Sequence, residues 1–540
     1  MLSSLPLLED TTSLAITALV GAAALAFHHH HQQQQRARAA ASRRRLLNGR
    51  EAREPHALDS TLPLLGNVLD YLKYEPVIFD WFTRNSLQFG GAPWKLTVPG
   101  QGELVFFSTP EAIEDITVTQ FDKFPKGPFQ RELLHDLLGR SIISADGDYW
   151  YELRKVAQPF FAAKPLRVLM TDVMHRNTHE LYACIDASIA SDTLVDLREL
   201  FMSFTIDTFV AISMGVHLDC IRASDRATSH PFLEAMNAVG PAIATRFLRP
   251  KWLWKLQRAL NLGPERVVRE SMGVIRSWLQ QTIDQCLQQS VEKQKQKQQQ
   301  QLQSESHQSL VEMLLLAERG DAMDADELVD FLLAFIIAAR DTTADTLSWM
   351  FYLLGRNPEI AQKLRDEMTV KLAPADDSDV DGDLTIDHIK ELTYLEAVIK
   401  ETLRLYPSAP YLTRVAAEDT VVCGDVPIRK GQLIGLLAFA MGRNPDVWGD
   451  DASTFRPERW IDAETGQLKQ AASSKFFTFG HGPRICIGMH LAMLELRVVA
   501  ANLLNRYNFE LDTTSNDGSY KVATTLEMKH PLLMRATRRV

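Results

Sequence analysis

The sequence predicts a mainly α-helical fold with a small β region, carried behind one membrane-anchoring segment near the N-terminus. Apolar residues recur at helical spacing along most of the chain, and β-rich runs are few and short. The composition, 46% hydrophobic and 23% charged, is that of a globular protein. A net charge of −10 argues against nucleic acid as a partner, because phosphate binding needs a basic surface.

Residues 11–27 form the predicted single transmembrane anchor, since they carry no charge and are mostly apolar. The run is shorter than the roughly 20 residues of an ideal span. A cleaved signal peptide would need positive charge before the apolar run, but Glu9 and Asp10 precede it. The basic residues follow it: Arg36, Arg38, Arg43, Arg44 and Arg45. By the positive-inside rule the N-terminus then faces the lumen and the remainder faces the cytosol.

The rest of the chain is predicted to be one folded domain. Residues 1–10 would be a short lumenal segment, residues 28–55 a basic low-complexity linker, and residues 56–540 the domain itself. Within the domain, an insert at 288–309 is rich in Gln, Lys and Ser. Such a composition cannot bury a core, so the insert is expected to be a mobile loop or an extended polar helix.

A central helix is predicted to begin at Asp324, because Glu327 stands three residues later and an apolar run follows. The run is apolar on nearly all sides, which indicates a helix through the centre of the protein. Arg340 and Asp341 interrupt it and exclude a membrane span.

A second helix is predicted from Thr393, ending before Pro407. Four short segments show strand signals: Lys95–Val98, Leu104–Ser108, Thr420–Val422 and Gln432–Leu437.

The five cysteines, at 184, 220, 286, 423 and 486, form no C-x-x-C pair, which favours a reduced compartment. Four of them are interpreted as small buried hydrophobic residues. Cys486 differs, because glycines at 480, 482 and 488 surround it and a helical pattern begins just after it. The N-terminus of that helix would favour a thiolate. A buried cysteine in a glycine-rich turn is the plainer alternative.

The segment from Phe479 to Gly488 resembles the cysteine-loop signature F-x-x-G-x-R-x-C-x-G of the cytochrome P450 family in all five fixed positions. The resemblance spans roughly residue 56 to the C-terminus. It implies that Cys486 is the axial ligand of a haem iron. Further residues implied to bind haem are Trp150, Arg154, Arg414, Phe479 and Arg484.

Two more segments resemble the same family. Glu401 and Arg404 match its E-x-x-R motif, and with Arg459 they imply a buried charge network that holds the cysteine loop. The run from Ala338 to Thr343 resembles its oxygen-activation segment, which implies catalytic roles for Asp341 and Thr342 in proton delivery. Ala338 and Ala339 would leave room for O2, although Ala339 stands where glycine is common and its methyl group narrows the groove. A buried threonine bonded to its own helix is the alternative for Thr342.

The resemblance implies a non-covalent haem b cofactor and electrons from NADPH through a partner reductase. It also implies O2, a lipophilic small molecule and the endoplasmic reticulum membrane as partners. Segments 124–129, 137–139, 145–148 and 340–344 resemble the branch of fungal and plant fatty-acid omega-hydroxylases. The expected product is therefore a long-chain fatty acid hydroxylated at or near its terminal carbon. The expected pocket wall comprises Phe129, Phe331, Phe335, Leu412 and Leu526, each of which could equally be core.

Three alternatives stay open at this point. The same chemistry could act on a sterol, terpenoid or xenobiotic, which a substrate panel would reveal. A rearrangement enzyme of the same fold would need no reductase, although Asp341 and Thr342 argue against it. A haem-binding sensor or carrier would show no turnover coupled to NADPH.

Overall fold

The computed structural model describes residues 51–162, 164–223, 230–249, 251–300, 309–311, 324–372, 384 and 386–539. The predicted lumenal segment, the anchor and most of the linker lie outside these ranges. Within these ranges, no helix is long and apolar enough to cross a membrane.

Helices make up most of the described chain, as the sequence predicts. In order they are α1 (Val68–Tyr74), α2 (Ile78–Gln88), α3 (Pro110–Glu114), α4 (Gly127–Leu138), α5 (Gly147–Ala162), α6 (Lys164–Ala190), α7 (Leu197–Met214), α8 (Cys220–Ala223), α9 (Pro231–Leu248), α10 (Lys251–Leu260), α11 (Pro264–Gln300), α12 (Ala325–Arg356), α13 (Pro358–Lys371), α14 (Ile386–Lys390), α15 (Thr393–Leu405), α16 (Ala438–Met441), α17 (Pro445–Trp448) and α18 (Met489–Arg506).

The strands are short and fall into four small sheets. In order they are β1 (His56–Ala57), β2 (Trp94–Val98), β3 (Gly102–Phe107), β4 (Val195–Asp196), β5 (Leu412–Val415), β6 (Thr420–Val422), β7 (Val426–Ile428), β8 (Leu433–Leu436), β9 (Tyr507–Leu511), β10 (Tyr520–Val522), β11 (Leu526–Met528) and β12 (Leu533–Arg538). The largest sheet has the order β1-β2-β3-β8-β5, and a second has the order β4-β12-β9. The β6-β7 and β10-β11 pairs are antiparallel.

Helix α12 is the predicted central helix. Its start is confirmed, because the Asp324 carboxylate accepts a hydrogen bond from the Glu327 N–H at 2.7 Å. The side chains from Val329 to Ile336 are buried on every side of the helix, which packs along α7. A helix apolar all round can be stable in water only when other elements cover it, and the core forms around it.

The four predicted strands are present, within two residues at each end, as β2, β3, β6 and β8. The remaining strands carry only two to six residues, too few to show a clear alternation of apolar and polar side chains. Some of them, such as β1, β4 and β12, also pair with strands distant in the chain. Residues 288–300 continue helix α11, which agrees with the extended-helix reading of this part of the insert. Residues 301–308 of the insert lie outside the described ranges.

Candidate active site

A cavity of about 310 Å³ lies between helix α12 and the loop that precedes helix α18. Helix α12 faces the cavity with Ala338 and Thr342 on the wall, and Cys486 lines the opposite side. The other predicted residues that line it are Trp150, Arg154, Phe335, Ala339, Leu412, Arg414, Phe479 and Arg484. The fold therefore brings together segments that are more than three hundred residues apart in the chain.

The loop around Cys486 folds tightly because two of its glycines adopt a left-handed backbone, Gly480 at φ +73° and Gly482 at φ +69°. A Cβ atom on Gly482 would lie 2.3 Å from the carbonyl oxygen of Thr117, so this position also needs the small residue for close packing. The Cys486 N–H donates to the Phe479 carbonyl at 2.8 Å, which closes the loop two residues before α18.

Cys486 is exposed to the cavity and enclosed by protein elsewhere. Burial raises the pKa of its thiol, whereas the Gly488 N–H and the charge of Arg154 lower it. Burial is the largest of these influences, so the helix N-terminus alone does not hold a thiolate here. Coordination to a metal ion deprotonates a thiol, which supplies the missing stabilisation.

Three cations line one edge of the cavity: the side chains of Arg414 and Arg484 are buried, and Lys126 is half-buried. Their one nearby carboxylate is that of Asp146, which accepts from Arg484 Nη2 at 2.8 Å. Burial and mutual repulsion lower the pKa of Arg414 to about 10 and that of Lys126 well below its usual value. Among the described residues, Arg484 Nε has no hydrogen-bond partner. Such an excess of buried positive charge is a binding site for an anionic group.

The Trp150 ring packs against the guanidinium groups at this cationic edge. It lies 4.4 Å from the Arg484 guanidinium carbon and 5.9 Å from that of Arg154. Trp150 and Arg154 stand four residues apart on helix α5 and therefore share the face that lines the cavity. The aromatic face stabilises two cations in a partly desolvated site.

These residues fit a haem. A cysteine sulfur faces a mainly apolar cavity, small alanines stand opposite it, and cations at one edge match the two propionates of the macrocycle. Two observations agree with a dianionic ligand at this edge. Arg484 Nε has no hydrogen-bond partner among the described residues, and the pKa of Arg484 is lowered because too little negative charge lies nearby to offset its burial.

Thr342 lies on the cavity wall and its hydroxyl donates to the Ala338 carbonyl at 2.7 Å. This is the back-bonded arrangement that the sequence allowed as an alternative. The hydroxyl oxygen keeps its capacity to accept a hydrogen bond from the cavity side. The Thr342 carbonyl accepts from both Thr346 Oγ1 and Ser408 Oγ, at 2.7 and 2.9 Å, which fixes this turn of the helix.

Asp341 does not line the cavity. Its carboxylate accepts from the Arg340 guanidinium at 2.9 Å, and Arg340 also donates to Asn237 on α9. Burial raises the pKa of Asp341, against the opposing effect of Arg340. Asp341 is therefore adjacent in sequence to Thr342 on the cavity wall but does not reach the cavity itself. Its carboxylate is paired with Arg340 and partly desolvated.

Glu401 is the centre of the predicted charge network. Its two oxygens accept from Arg404 at 2.7 and 2.8 Å and from Arg459 at 2.8 Å. The Trp460 indole N–H and the Arg456 backbone N–H add bonds at 2.9 Å. Glu401 has no solvent exposure, so its charge depends on these donors. Helix α15, which carries it, packs against Phe477–Phe479 at the start of the cysteine loop.

Three residues expected on the pocket wall lie elsewhere among the described elements. Phe331 and Leu526 are buried core, and Phe129 packs against that core without lining the cavity. Phe335 and Leu412 do line it. Phe331 stands on helix α12, which lines the cavity, but its side chain is buried in the core, and strand β11, which carries Leu526, does not line the cavity.

Among the cavity or edge residues that sequence reasoning missed, four are polar or charged: Lys126, Asp146, Ser408 and Glu495. Glu495 had a signal, because it is an acid between Leu494 and Leu496 in the helical pattern of α18. Burial raises its pKa to about 8. The other three are ordinary loop residues whose importance comes only from partners distant in the chain.

A family model described as Cytochrome P450 matches residues 55–530. The chain is 30% identical to Cytochrome P450 86B1 of Arabidopsis thaliana, over 86% of this chain and 82% of that protein. It is 29% identical to Cytochrome P450 monooxygenase cyp1 of Mycosarcoma maydis, over 88% of this chain and 74% of that protein. It is 27% identical to Cytochrome P450 94B1 of Arabidopsis thaliana, over 88% and 90%.

Proposed function

Because the chain belongs to the cytochrome P450 family, we propose that it hydroxylates a long-chain fatty acid at or near its terminal carbon, using O2 and NADPH. Membership makes the protein an oxidoreductase with haem iron that receives electrons from a reductase. The observation that carries the proposal is the cavity that places Cys486 opposite Ala338 and Thr342, with a cationic edge beside them.

The haem b of this proposal would be held non-covalently. Cys486 would be its axial ligand, and Arg154, Arg414 and Arg484 would bind its propionates. When bound, the haem supplies the activation of O2 with electrons from the reductase. Ala338 cannot form a covalent ester to the macrocycle, since it has no carboxylate.

The protein's own part is to deliver protons and to exclude water. Thr342 offers a hydroxyl on the cavity wall, and Asp341 stands behind it as a titratable acid. A proton that reaches Thr342 can be passed to a group in the cavity, because the hydroxyl both donates and accepts. The aromatic and aliphatic wall keeps bulk water away.

The composition of the cavity wall favours an apolar substrate. Away from its cationic edge and its few hydroxyl groups, the wall carries a set of aliphatic and aromatic side chains, namely Ile142, Phe161, Phe209, Phe335, Leu403 and Leu412. The unbranched alkyl end of a fatty acid could pack against such a wall without leaving a polar group unpaired. The fatty-acid assignment rests on the resemblance of segments 124–129 and 340–344 to fatty-acid omega-hydroxylases. A sterol, terpenoid or xenobiotic is the second candidate, because the same wall would accept it.

The proposal includes anchoring in the endoplasmic reticulum membrane through residues 11–27, with the catalytic domain in the cytosol. A lipid substrate concentrated in that membrane would reach the enzyme from the bilayer.

The test is turnover of a fatty-acid panel by the full chain reconstituted with a NADPH-dependent reductase. The carbon monoxide difference spectrum first establishes that haem is loaded through thiolate. Mass spectrometry should then find NADPH-dependent hydroxylation at or next to the terminal carbon. A correctly loaded enzyme that hydroxylates a sterol or terpenoid and no fatty acid would overturn the substrate assignment.

A further inference from the structure

One buried arginine links helix α9 to Asp341. Arg340 is 2% exposed, so its charge lies in the protein interior. Its Nη1 donates to Asp341 Oδ1 at 2.9 Å, and its Nη2 donates to the side-chain carbonyl of Asn237 on α9. The remaining nitrogen, Nε, has no partner among the described residues. In the described part of the chain, the orientation of this guanidinium group therefore depends on two acceptors, Asp341 and Asn237.

The contact between Arg340 and Asp341 is a single hydrogen bond. Oδ1 of Asp341 accepts it, and Oδ2 accepts no hydrogen bond from the described residues. Arginine and carboxylate groups frequently form a bidentate contact, in which two nitrogens donate to two oxygens. Here Asn237 engages Nη2, a nitrogen that could complete such a contact. The hydrogen bond to Asn237 therefore competes with a bidentate pair.

The backbone around Arg340 is fixed independently of α9. The Thr205 hydroxyl on α7 donates to the Arg340 carbonyl at 3.1 Å. A change at Asn237 is therefore passed to Asp341 through the Arg340 side chain, and not through a shift of helix α12. Asn237 itself is exposed, so the outer end of this set of polar groups is in contact with water.

The charged groups around Asp341 stand on three elements. Arg340 and Asp345 lie on its own helix, Arg198 lies on α7, and Glu527 lies on β11. Burial raises the pKa of Asp341, and the charge of Arg340 is the largest opposing influence. A second hydrogen bond from Arg340 would lower this pKa, because it stabilises the charged form. A smaller fraction of Asp341 would then carry a proton at neutral pH.

We propose that Asn237 is a positioning residue for Asp341. By holding one nitrogen of Arg340, it limits the ion pair to one hydrogen bond and leaves Oδ2 of Asp341 free to exchange protons. The proposal rests on the proposed monooxygenase function, because proton supply from Asp341 matters only in a reaction that consumes protons at Thr342.

Infrared titration of the full-length, haem-loaded protein tests the contact without substrate or turnover. The carboxyl band of Asp341 is the one that Asp341→Asn removes. In Asn237→Ala, Arg340 can donate twice to Asp341, so this band should titrate at a lower pH than in the wild type. Thr245→Ala, whose hydroxyl donates to the Ala242 carbonyl at 2.7 Å within α9, should leave the titration unchanged. A midpoint that stays or rises in Asn237→Ala would overturn the proposal, whatever reaction the enzyme catalyses.

Turnover separates positioning from packing. With a substrate that the wild type hydroxylates, Asn237→Ala should lower product formed per NADPH by about tenfold, within the roughly hundredfold loss that a displacement of about 1 Å can cause. Hydrogen peroxide should account for the difference, while haem content and the substrate-binding spectrum stay unchanged.

The double variant shows whether Asn237 acts through Asp341. Asp341→Asn removes the carboxylate, so adding Asn237→Ala to it should cause no further loss of product. A further loss as large as that in the wild-type background would assign Asn237 a packing role and contradict the proposal. Because any hydroxylated substrate serves, failure of fatty acids as substrates would not affect this comparison.

Discussion

Arg484 and Asp146 form an ion pair of 2.8 Å at the edge of the cavity, and the Ala145 carbonyl accepts from the same Arg484 nitrogen at 2.8 Å. Asp146 also accepts the backbone N–H groups of Lys126 and Gly127 at 2.9 Å. The Asp146 carboxylate therefore connects Arg484 with the backbone of Lys126 and Gly127 at the cationic edge. It partly neutralises the edge before any ligand arrives.

Asp146→Asn should affect the haem-free and haem-loaded protein differently. Removing the carboxylate leaves buried cations uncompensated, so the free energy of unfolding of the haem-free protein should fall by about 1–3 kcal/mol. Haem retention, measured by transfer to an acceptor protein, should not weaken, because the propionates then meet a more positive edge. Arg484→Gln should accelerate haem loss. Equal haem loss in both variants would contradict this account of the edge.

Glu401→Gln should destabilise the fold strongly. Arg404 and Arg459 would each lose their charged partner in a buried site, which costs about 3–5 kcal/mol when one member of such a set is removed. Urea unfolding and haem content measure the loss. Glu270→Gln breaks the surface pair with Arg266 and should leave both values unchanged. A Glu401→Gln protein as stable as that control would mean that the network is dispensable.

Cys486→Ala should abolish the thiolate-type carbon monoxide difference spectrum, because no other cysteine lines the described cavity wall. Cys184→Ala is the matched control, since Cys184 is buried elsewhere in the core. It should keep the spectrum and lose only modest stability. Persistence of the thiolate-type spectrum in Cys486→Ala would show that the ligand assignment is wrong.

Thr342→Ala should reduce product formed per NADPH and increase hydrogen peroxide. The loss should approach the roughly 10²- to 10⁴-fold contribution of a positioned proton-transfer group. Thr282→Ala removes the same kind of back-bonded hydroxyl, donating to the Trp278 carbonyl at 2.8 Å, on α11. If both variants lose activity equally, the effect belongs to helix packing and not to proton delivery.

Asp345 should make stability depend on pH. Its pKa is raised in the folded state, so folded and unfolded chains are both protonated below about pH 4, and the contribution is then fully present. As pH rises past about 4, the unfolded chain releases the proton and the folded chain keeps it, so the free energy of unfolding falls. Asp345→Asn should gain stability relative to the wild type between pH 5 and pH 8. Parallel stability curves for the two proteins would contradict the raised pKa.

Sequence patterns within a few residues predicted those parts of the site whose backbone depends only on neighbouring residues. The cap at Asp324, the apolar run of α12 and the glycines around Cys486 each specify their own backbone, and the structure agrees. Asp345 was visible as a polar residue in that run. Its burial depends on β11, which joins the helix only in the folded chain, so its raised pKa could not be predicted.

The same limit applies to the cavity wall. Phe335 and Leu412 point into the cavity and Phe331 into the core, although all three look alike as apolar residues. Which of these side chains meets the cavity depends on which neighbouring elements cover each helix or strand, and those elements come together only in the folded chain.

Strand β12 stands between β4 and β9 in its sheet, with Met534 opposite both Val195 and Leu511. It is translated after every other helix and strand of the described chain. Strand β4 therefore has no strand to pair with until Leu533–Arg538 have been synthesised. This sheet joins parts of the chain more than three hundred residues apart, so it can form only after β12 has emerged from the ribosome.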